Sequence, residues 1–323
     1  MVRTLVVGST GVIGLPLTLA LTREGHDVFA VVRKASRQAK TAVVAQLEAA
    51  GVRLFDGDIA DPLSLHEVFT QLHPIEAVVS AVAGTQVLDQ SNLIAACLKA
   101  GTVKRFLPSE YNVDMSSARS EVPDIFEPRA AIVQELQRSQ IPYTLICSNG
   151  FMEYWNAGLG VLAAYPPDPV LVYGDGNVKG VSTLTTDIAA YAAKALTDPR
   201  TENKRLIIAP AQNVASQNDL IALWEKVSGK QLGRNHLSAA ELQKQIQDAK
   251  QAVKTSENYS NVTYLQLIQT MWIMGDTMHP LPPDGVEATA LYPEVKYTTL
   301  EGYLTQLAQK GTGHSLYAIT MQS

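Results

Sequence analysis

The chain has 323 residues, 46% of them hydrophobic and 18% charged, with a net charge of −5 at pH 7. That composition suits a large core, and basic runs no longer than two residues, such as Lys104-Arg105, leave no electrostatic footprint for nucleic acid. No apolar run approaches the roughly eighteen residues of a membrane span, and "MVRTLVVGSTGVIG" lacks the pattern of a signal peptide, so a cytoplasmic protein with no membrane partner is expected. The two cysteines, Cys97 and Cys147, sit in apolar stretches and fit a reduced compartment. The histidines (His26, His66, His73, His236, His279, His314) never reach metal-ligand spacing, so no metal site is expected.

In chain order, "TLVVG" (4–8) reads as a strand and 12–23 as a helix. "DVFAVVR" (27–33) and "VRLFDGD" (52–58) are the next strands. "EAVVSAV" (76–82), "VKRFLPS" (103–109) and "PYTLICS" (142–148) continue the series, with helical patterning at 88–100 and 128–140. Apolar strands alternating with helices predict an α/β fold, with a Rossmann-type, doubly wound parallel sheet covered on both faces. After residue 150 the rhythm changes. The segment 151–180 is rich in aromatics, Gly and Pro, helical stretches dominate 186–270, and "HPLPPDG" (279–285) breaks the chain again. We therefore expect a dinucleotide domain over 1–155 and a smaller, mixed substrate domain over 156–323, some of whose segments return to the first sheet.

"VVGSTGVIG" places Gly8, Gly11 and Gly14 between the first strand and the first helix. Gly8 permits a tight turn, Gly11 lets the backbone approach a pyrophosphate, and Gly14 lets helix and strand pack closely, with the phosphates on the helix N–H groups. Thr10, Val12 and Ile13 belong to the same loop. A fold selective for NAD carries an acidic residue about twenty positions on, to hold the ribose 2′-hydroxyl. Here Arg33 stands nineteen residues after Gly14, followed by Lys34, Arg37 and Lys40, with no acid nearby. Cations there attract a 2′-phosphate, so the expected cofactor is NADP(H). Asp58, in "GDIAD", reads as a contact on the adenine side or as a turn former.

The motifs "GSTGVIG", "GVRLFDGDIADPLSL", "VKRFLPSEY", "IPYTLICSNGF", "GDGNVKGV" and "PDGVEATALYPEVKYTTLEGYL" follow one another along nearly the whole chain. In this order they resemble the isoflavone reductase and phenylcoumaran benzylic ether reductase family, the NmrA-like branch of the atypical short-chain dehydrogenases. The resemblance implies an NADP-binding Rossmann domain, a small substrate domain and NADPH-dependent reduction of aromatic secondary metabolites. It places the dinucleotide loop at Gly8, Gly11 and Gly14 and the 2′-phosphate pair at Arg33 and Lys40. It lays the turn from Ser80 through Ala81 and Val82 to Gly84 along the cofactor, and sets Asn149 and Phe151 beside the nicotinamide.

The family's general acid/base is a lysine separated from the "IPYT" segment by eleven residues; here that position is Arg129. The Tyr-x-x-x-Lys pair of ordinary short-chain dehydrogenases would put its tyrosine at Ile125. Arg129 follows Pro128 at the start of a helix, where the macrodipole disfavours a cation by about 0.3–1 kcal/mol. A guanidinium keeps its charge and orients anions, but it shuttles protons poorly. A second departure is Glu153, in "SNGFMEYW", where the family carries small residues. The expectation is therefore that Arg129 and Glu153 together replace the lysine, Glu153 moving the proton, with Tyr111 and Tyr154 as lesser acids. The plainer alternative pairs Arg129 with Glu127 or Asp124 and leaves Glu153 to solvent. Glu110, in "PSEY", reads as structural as readily as catalytic. Trp155, Trp272, Met271 and Met274 divide evenly between core and pocket wall.

Three functions compete. The first is a reductase of an aromatic or heteroaromatic small molecule. The second is a redox-neutral enzyme, for isomerisation, cyclisation or carbon–carbon bond formation, that retains the nucleotide as part of its pocket. The third is a nucleotide-sensing regulator. A homodimer is compatible with all three.

Overall fold

The computed structural model describes residues 1–114, 126–253, 256–278 and 280–311. The first half runs β1 (Arg3–Val7), α1 (Gly14–Arg23), β2 (Asp27–Val32), α2 (Lys34–Ala39), α3 (Thr41–Ala49), β3 (Arg53–Asp56), α4 (Pro62–Leu72), β4 (Ala77–Ser80), α5 (Gln90–Ala100), β5 (Arg105–Leu107), α6 (Glu127–Ser139) and β6 (Thr144–Cys147). The second half adds β7 (Gly150–Phe151), α7 (Met152–Trp155), β8 (Val170–Tyr173), β9 (Lys179–Thr183), α8 (Thr185–Ala195), β10 (Lys204–Ile207), β11 (Val214–Ser216), α9 (Gln217–Ser228), β12 (Arg234–Leu237), α10 (Ala239–Ala252) and α11 (Ser256–Ile268). A π-helical turn, Gln269–Ile273, continues α11; β13 (Gly285–Glu287), α12 (Ala288–Leu291) and α13 (Leu300–Lys310) complete the fold.

Strand order in the main parallel sheet is β3-β2-β1-β4-β5. A parallel bridge between Phe106 and Tyr143 carries it on to β6, which pairs in parallel with β10, and β10 in turn with β13. The central strands β1, β2 and β4 are buried on both faces, since successive side chains alternate between them, whereas the edge strand β3 is partly exposed. Val6, Val28, Ala30 and Val32 pack with Leu17 and Leu21 of α1 and Ile188 and Ala192 of α8. Leu5, Val7, Phe29 and Val31 pack on the other side with Leu65 of α4, Leu93 of α5 and Leu136 of α6. Helices thus cover both faces, as a doubly wound sheet requires.

The second region has its own core, in which Trp224 and Leu220 of α9 meet Leu304 and Leu307 of α13, Val170 and Val172 of β8, and Met152 and Trp155 of α7. Its small sheets are mixed: β9 pairs in parallel with β7 and antiparallel with β11, while β8 pairs with β12. Among the described residues no helix is long and apolar enough to cross a membrane, and no cluster of His, Cys, Asp and Glu has a metal-binding arrangement.

Candidate active site

At the carboxyl end of β1 the chain turns on Gly8, whose φ is +77°. A Cβ there would come within 2.3 Å of the Ala81 carbonyl oxygen, and one on Gly14 within 1.9 Å of the Gly8 carbonyl oxygen. Both positions need glycine, for the turn and for the packing of α1 on it. Gly11 N–H closes the turn on the Gly8 carbonyl at 3.0 Å, and Gly11 and Val12 lie on its half-buried outer side. Ser80 and Ala81 are buried, with the Ala81 carbonyl against Gly8.

A cleft beside the turn is lined by Gly8, Thr10, Arg33, Asp58 and Val82, together with Ser36, Gly57, Ile59 and Gln86. Arg33 is exposed at its rim, and Lys40 Nζ donates to the Thr10 carbonyl at 3.4 Å. Arg37 is already held by Asp56 at 3.2 Å. Asp58 faces the cleft and also forms a turn, accepting from Ala60 N–H at 3.0 Å. A glycine cradle with two cations at its rim fits a 2′-phosphorylated dinucleotide. Ser36 and Gln86 escaped the sequence reading because a helix residue and a short turn carry no motif.

Beyond the turn opens a cavity of about 520 Å³. Ile13, Val82, Asn149 and Phe151 form its floor beside the glycine turn, and Tyr154, Trp155, Tyr264, Leu267 and Met271 form an apolar wall. Asn149 has φ +57° and donates its amide to the Ile208 carbonyl at 3.1 Å, which fixes the bend between β6 and β7. The Phe151 and Tyr154 rings are tilted against each other at 6.0 Å. Thr270 and Met271 reach the wall from the π-helical turn, a local distortion common at functional sites. Trp155 and Met271 are therefore pocket residues, while Trp272 is buried with its indole N–H on the Gly160 carbonyl at 3.1 Å.

Arg129 lines this cavity, together with Glu110, Tyr111 and Phe126. Burial lowers the Arg129 pKa and the nearby Glu110 charge opposes that shift; a guanidinium so placed keeps its charge. Burial pushes the Glu110 carboxyl up to about 7, against the pull of Arg129, Asn112 and Arg205. Tyr111 is buried with no hydrogen-bond partner for its hydroxyl, and burial pushes its phenol far above the ordinary range.

The structure corrects the expected Arg129–Glu153 pair. Glu153 is buried, but it is absent from the cavity wall, and its Oε1 accepts from Thr185 N–H at 3.0 Å and from the Thr185 hydroxyl at 2.6 Å. It therefore serves the first turn of α8, where backbone N–H groups lack helical partners. Of the alternative partners, Glu127 is exposed and Asp124 lies outside the described residues, as does Ile125. Among the described residues, the acid that shares the cavity with Arg129 is Glu110.

A model of the NmrA-like family matches residues 2–304. Isoflavone reductase homolog P3 of Arabidopsis thaliana is 39% identical over 315 residues, covering 95% of this chain and 98% of that one. Phenylcoumaran benzylic ether reductase Pyrc5 of Pyrus communis is 39% identical over 310 residues, covering 94% and 97%. The solved complex of AtPrR2 with NADP+ and (+)pinoresinol matches with a TM-score of 0.84 at 32% identity, covering 94% of this chain and 98% of that one. The glycine turn, the doubly wound sheet and these matches agree: the chain belongs to the NmrA-like family, as an NADP-dependent oxidoreductase related to the isoflavone and phenylcoumaran benzylic ether reductases.

Proposed function

We propose that this protein is an NADPH-dependent reductase of an aromatic or heteroaromatic secondary metabolite. The observation that carries this reading is the cavity itself. It begins at Ile13 and Val82 beside the glycine turn, continues along Phe151, Tyr154 and Tyr264, and holds the Arg129 charge on its wall. Aromatic side chains offer a flat substrate large contact areas, and a few placed polar groups fix its orientation.

The residues around the turn divide the binding work. Backbone N–H groups from Gly8 to Gly14 would hold the pyrophosphate, Arg33 and Lys40 the 2′-phosphate, and Val82, Asn149 and Phe151 would flank the nicotinamide. When bound, NADPH supplies a hydride. Arg129 orients the oxygen of an enone or quinone-methide-like substrate and stabilises the negative charge that grows there, which a fixed, preorganised cation does well.

The test uses NADPH deuterated at both C4 positions and a panel drawn from the compounds that name the relatives: (+)pinoresinol, an isoflavone and a phenylcoumaran. The expected result is a reduced product that carries deuterium. A product formed without label while NADPH persists would overturn the reading in favour of redox-neutral chemistry.

A further inference from the structure

The turn after β5 is built more firmly than a connecting loop needs. Pro108 ends the strand, and Glu110 N–H closes a three-residue turn on the Pro108 carbonyl at 2.8 Å. Ser109 ties that turn to two other elements: its N–H donates to Gln90 Oε1 of α5 at 2.9 Å, and its hydroxyl to the Val82 carbonyl at 3.0 Å. Asn112 closes the other side. Its amide donates to the Glu110 carbonyl and lies 3.4 Å from Glu110 Oε2, and its own carbonyl accepts from Asn149 N–H at 3.2 Å. These contacts fix the backbone of Glu110 at the cavity wall, next to Val82 and Asn149, where the cofactor's reactive end is placed by the reading above.

Several charged groups surround Glu110. Arg205, on β10, is held by Asp114 at 3.3 Å and by Asp284. Cys147 of β6 is buried and feels both Asp114 and Glu110. Arg129, from α6, is the cation that acts most strongly on Glu110. An acid from the turn after β5 and a cation from α6 thus reach one cavity.

We propose that Glu110 is the proton donor of the reduction, and that Arg129 holds the anion which that proton neutralises. The proposal rests on the reductase reading. The substrate carbon gains the hydride electron pair from NADPH, which is oxidised to NADP+, and the electrons of the substrate's double bond move to its oxygen. In the same step the Glu110 O–H bond breaks as the product O–H bond forms, and the carboxylate left beside Arg129 regains a proton from the solvent. The family's single lysine is thereby divided into a fixed charge and a separate acid. A carboxyl that titrates near neutrality suits the acid, because both of its protonation states are populated at the working pH.

Two readouts test this on the NADP+-loaded protein and in turnover. The first is 13C NMR of protein labelled at the glutamate carboxyl carbon, with Glu110→Gln to assign the signal. Glu110 is expected to titrate near neutrality in the wild type, and at higher pH in Arg129→Leu, which leaves Glu110 itself intact. The second is the pH profile of deuterium transfer to whichever panel compound is reduced. Wild-type kcat is expected to fall as pH rises through the Glu110 range. Glu110→Gln is expected to lose about a hundredfold in kcat, with KM little changed and the fall abolished. A Glu110 titration in the ordinary carboxylate range, or a Glu110→Gln profile like the wild type's, overturns the proposal and leaves the reductase reading standing. Absence of deuterium transfer by the wild type overturns the reductase reading, and the proton donor with it.

Discussion

The turn at Glu110 and the start of α7 at Glu153 each bury a glutamate, and in each burial raises the carboxyl pKa. They differ in what meets the oxygens. Glu153 accepts a backbone N–H and a hydroxyl from Thr185, so its acceptor capacity is committed to the first turn of α8. Among the described residues Glu110 has one long contact, to Asn112, and it lines a cavity that also contains Arg129. Burial and a raised pKa alone do not mark a proton donor. What sets Glu110 apart is its place on a cavity wall that it shares with a cation.

The largest expected effect that sharpens this contrast comes from Arg129. Replacing it with leucine removes the charge proposed to stabilise the substrate anion and should lower kcat by about 10²–10³, as loss of one oxyanion contact does elsewhere. Steady-state kinetics with deuterated NADPH would check this. Next comes Glu153→Ala, which leaves the buried Thr185 N–H without its acceptor. It should cost about 1–3 kcal/mol of stability, read from urea denaturation, while kcat remains close to the wild type's. A large kcat loss in that variant with stability intact would break the distinction between the two acids.

The smallest effect is the pH dependence of stability. Folded Glu110 keeps its proton up to about 7, whereas an unfolded glutamate ionises near the ordinary value of 4.5. Between those values the folded state binds more protons, so this contribution to stability is complete below the range and is lost as pH rises through it. Glu110→Gln has no such proton to lose. Its Tm should gain on the wild type's from acid to neutral pH and then hold a constant difference.

Much of the fold was legible because the strands are buried on both faces and the glycine turn has a strict steric logic. Leu5 and Val6 face opposite helical layers, and their apolar character shows this in the sequence without any long-range information. Two of the observed strands are bounded by prolines: Pro108 follows β5, and Pro142 precedes β6. The resemblance to the family singled out Arg129 as the residue at its lysine position, and the fold sets that residue on the cavity wall. Its acidic companion was not so marked. Glu153 drew attention as a charge in an aromatic segment, yet Thr185 is far along the chain and only folding brings the two together. "PSEY" carried the better candidate, but no local feature of it says that Gln90, Val82 and Asn149 converge to hold that turn against the cavity.

The most direct test of the account is single-turnover deuterium transfer from labelled NADPH, measured side by side for wild type, Glu110→Gln and Glu153→Gln across the neutral pH range. The account predicts that all three transfer label, that Glu110→Gln alone is slowed and loses its pH dependence, and that Glu153→Gln follows the wild-type curve. Slowed transfer in Glu153→Gln beside an unchanged Glu110→Gln would contradict it and return the proton to the start of α7.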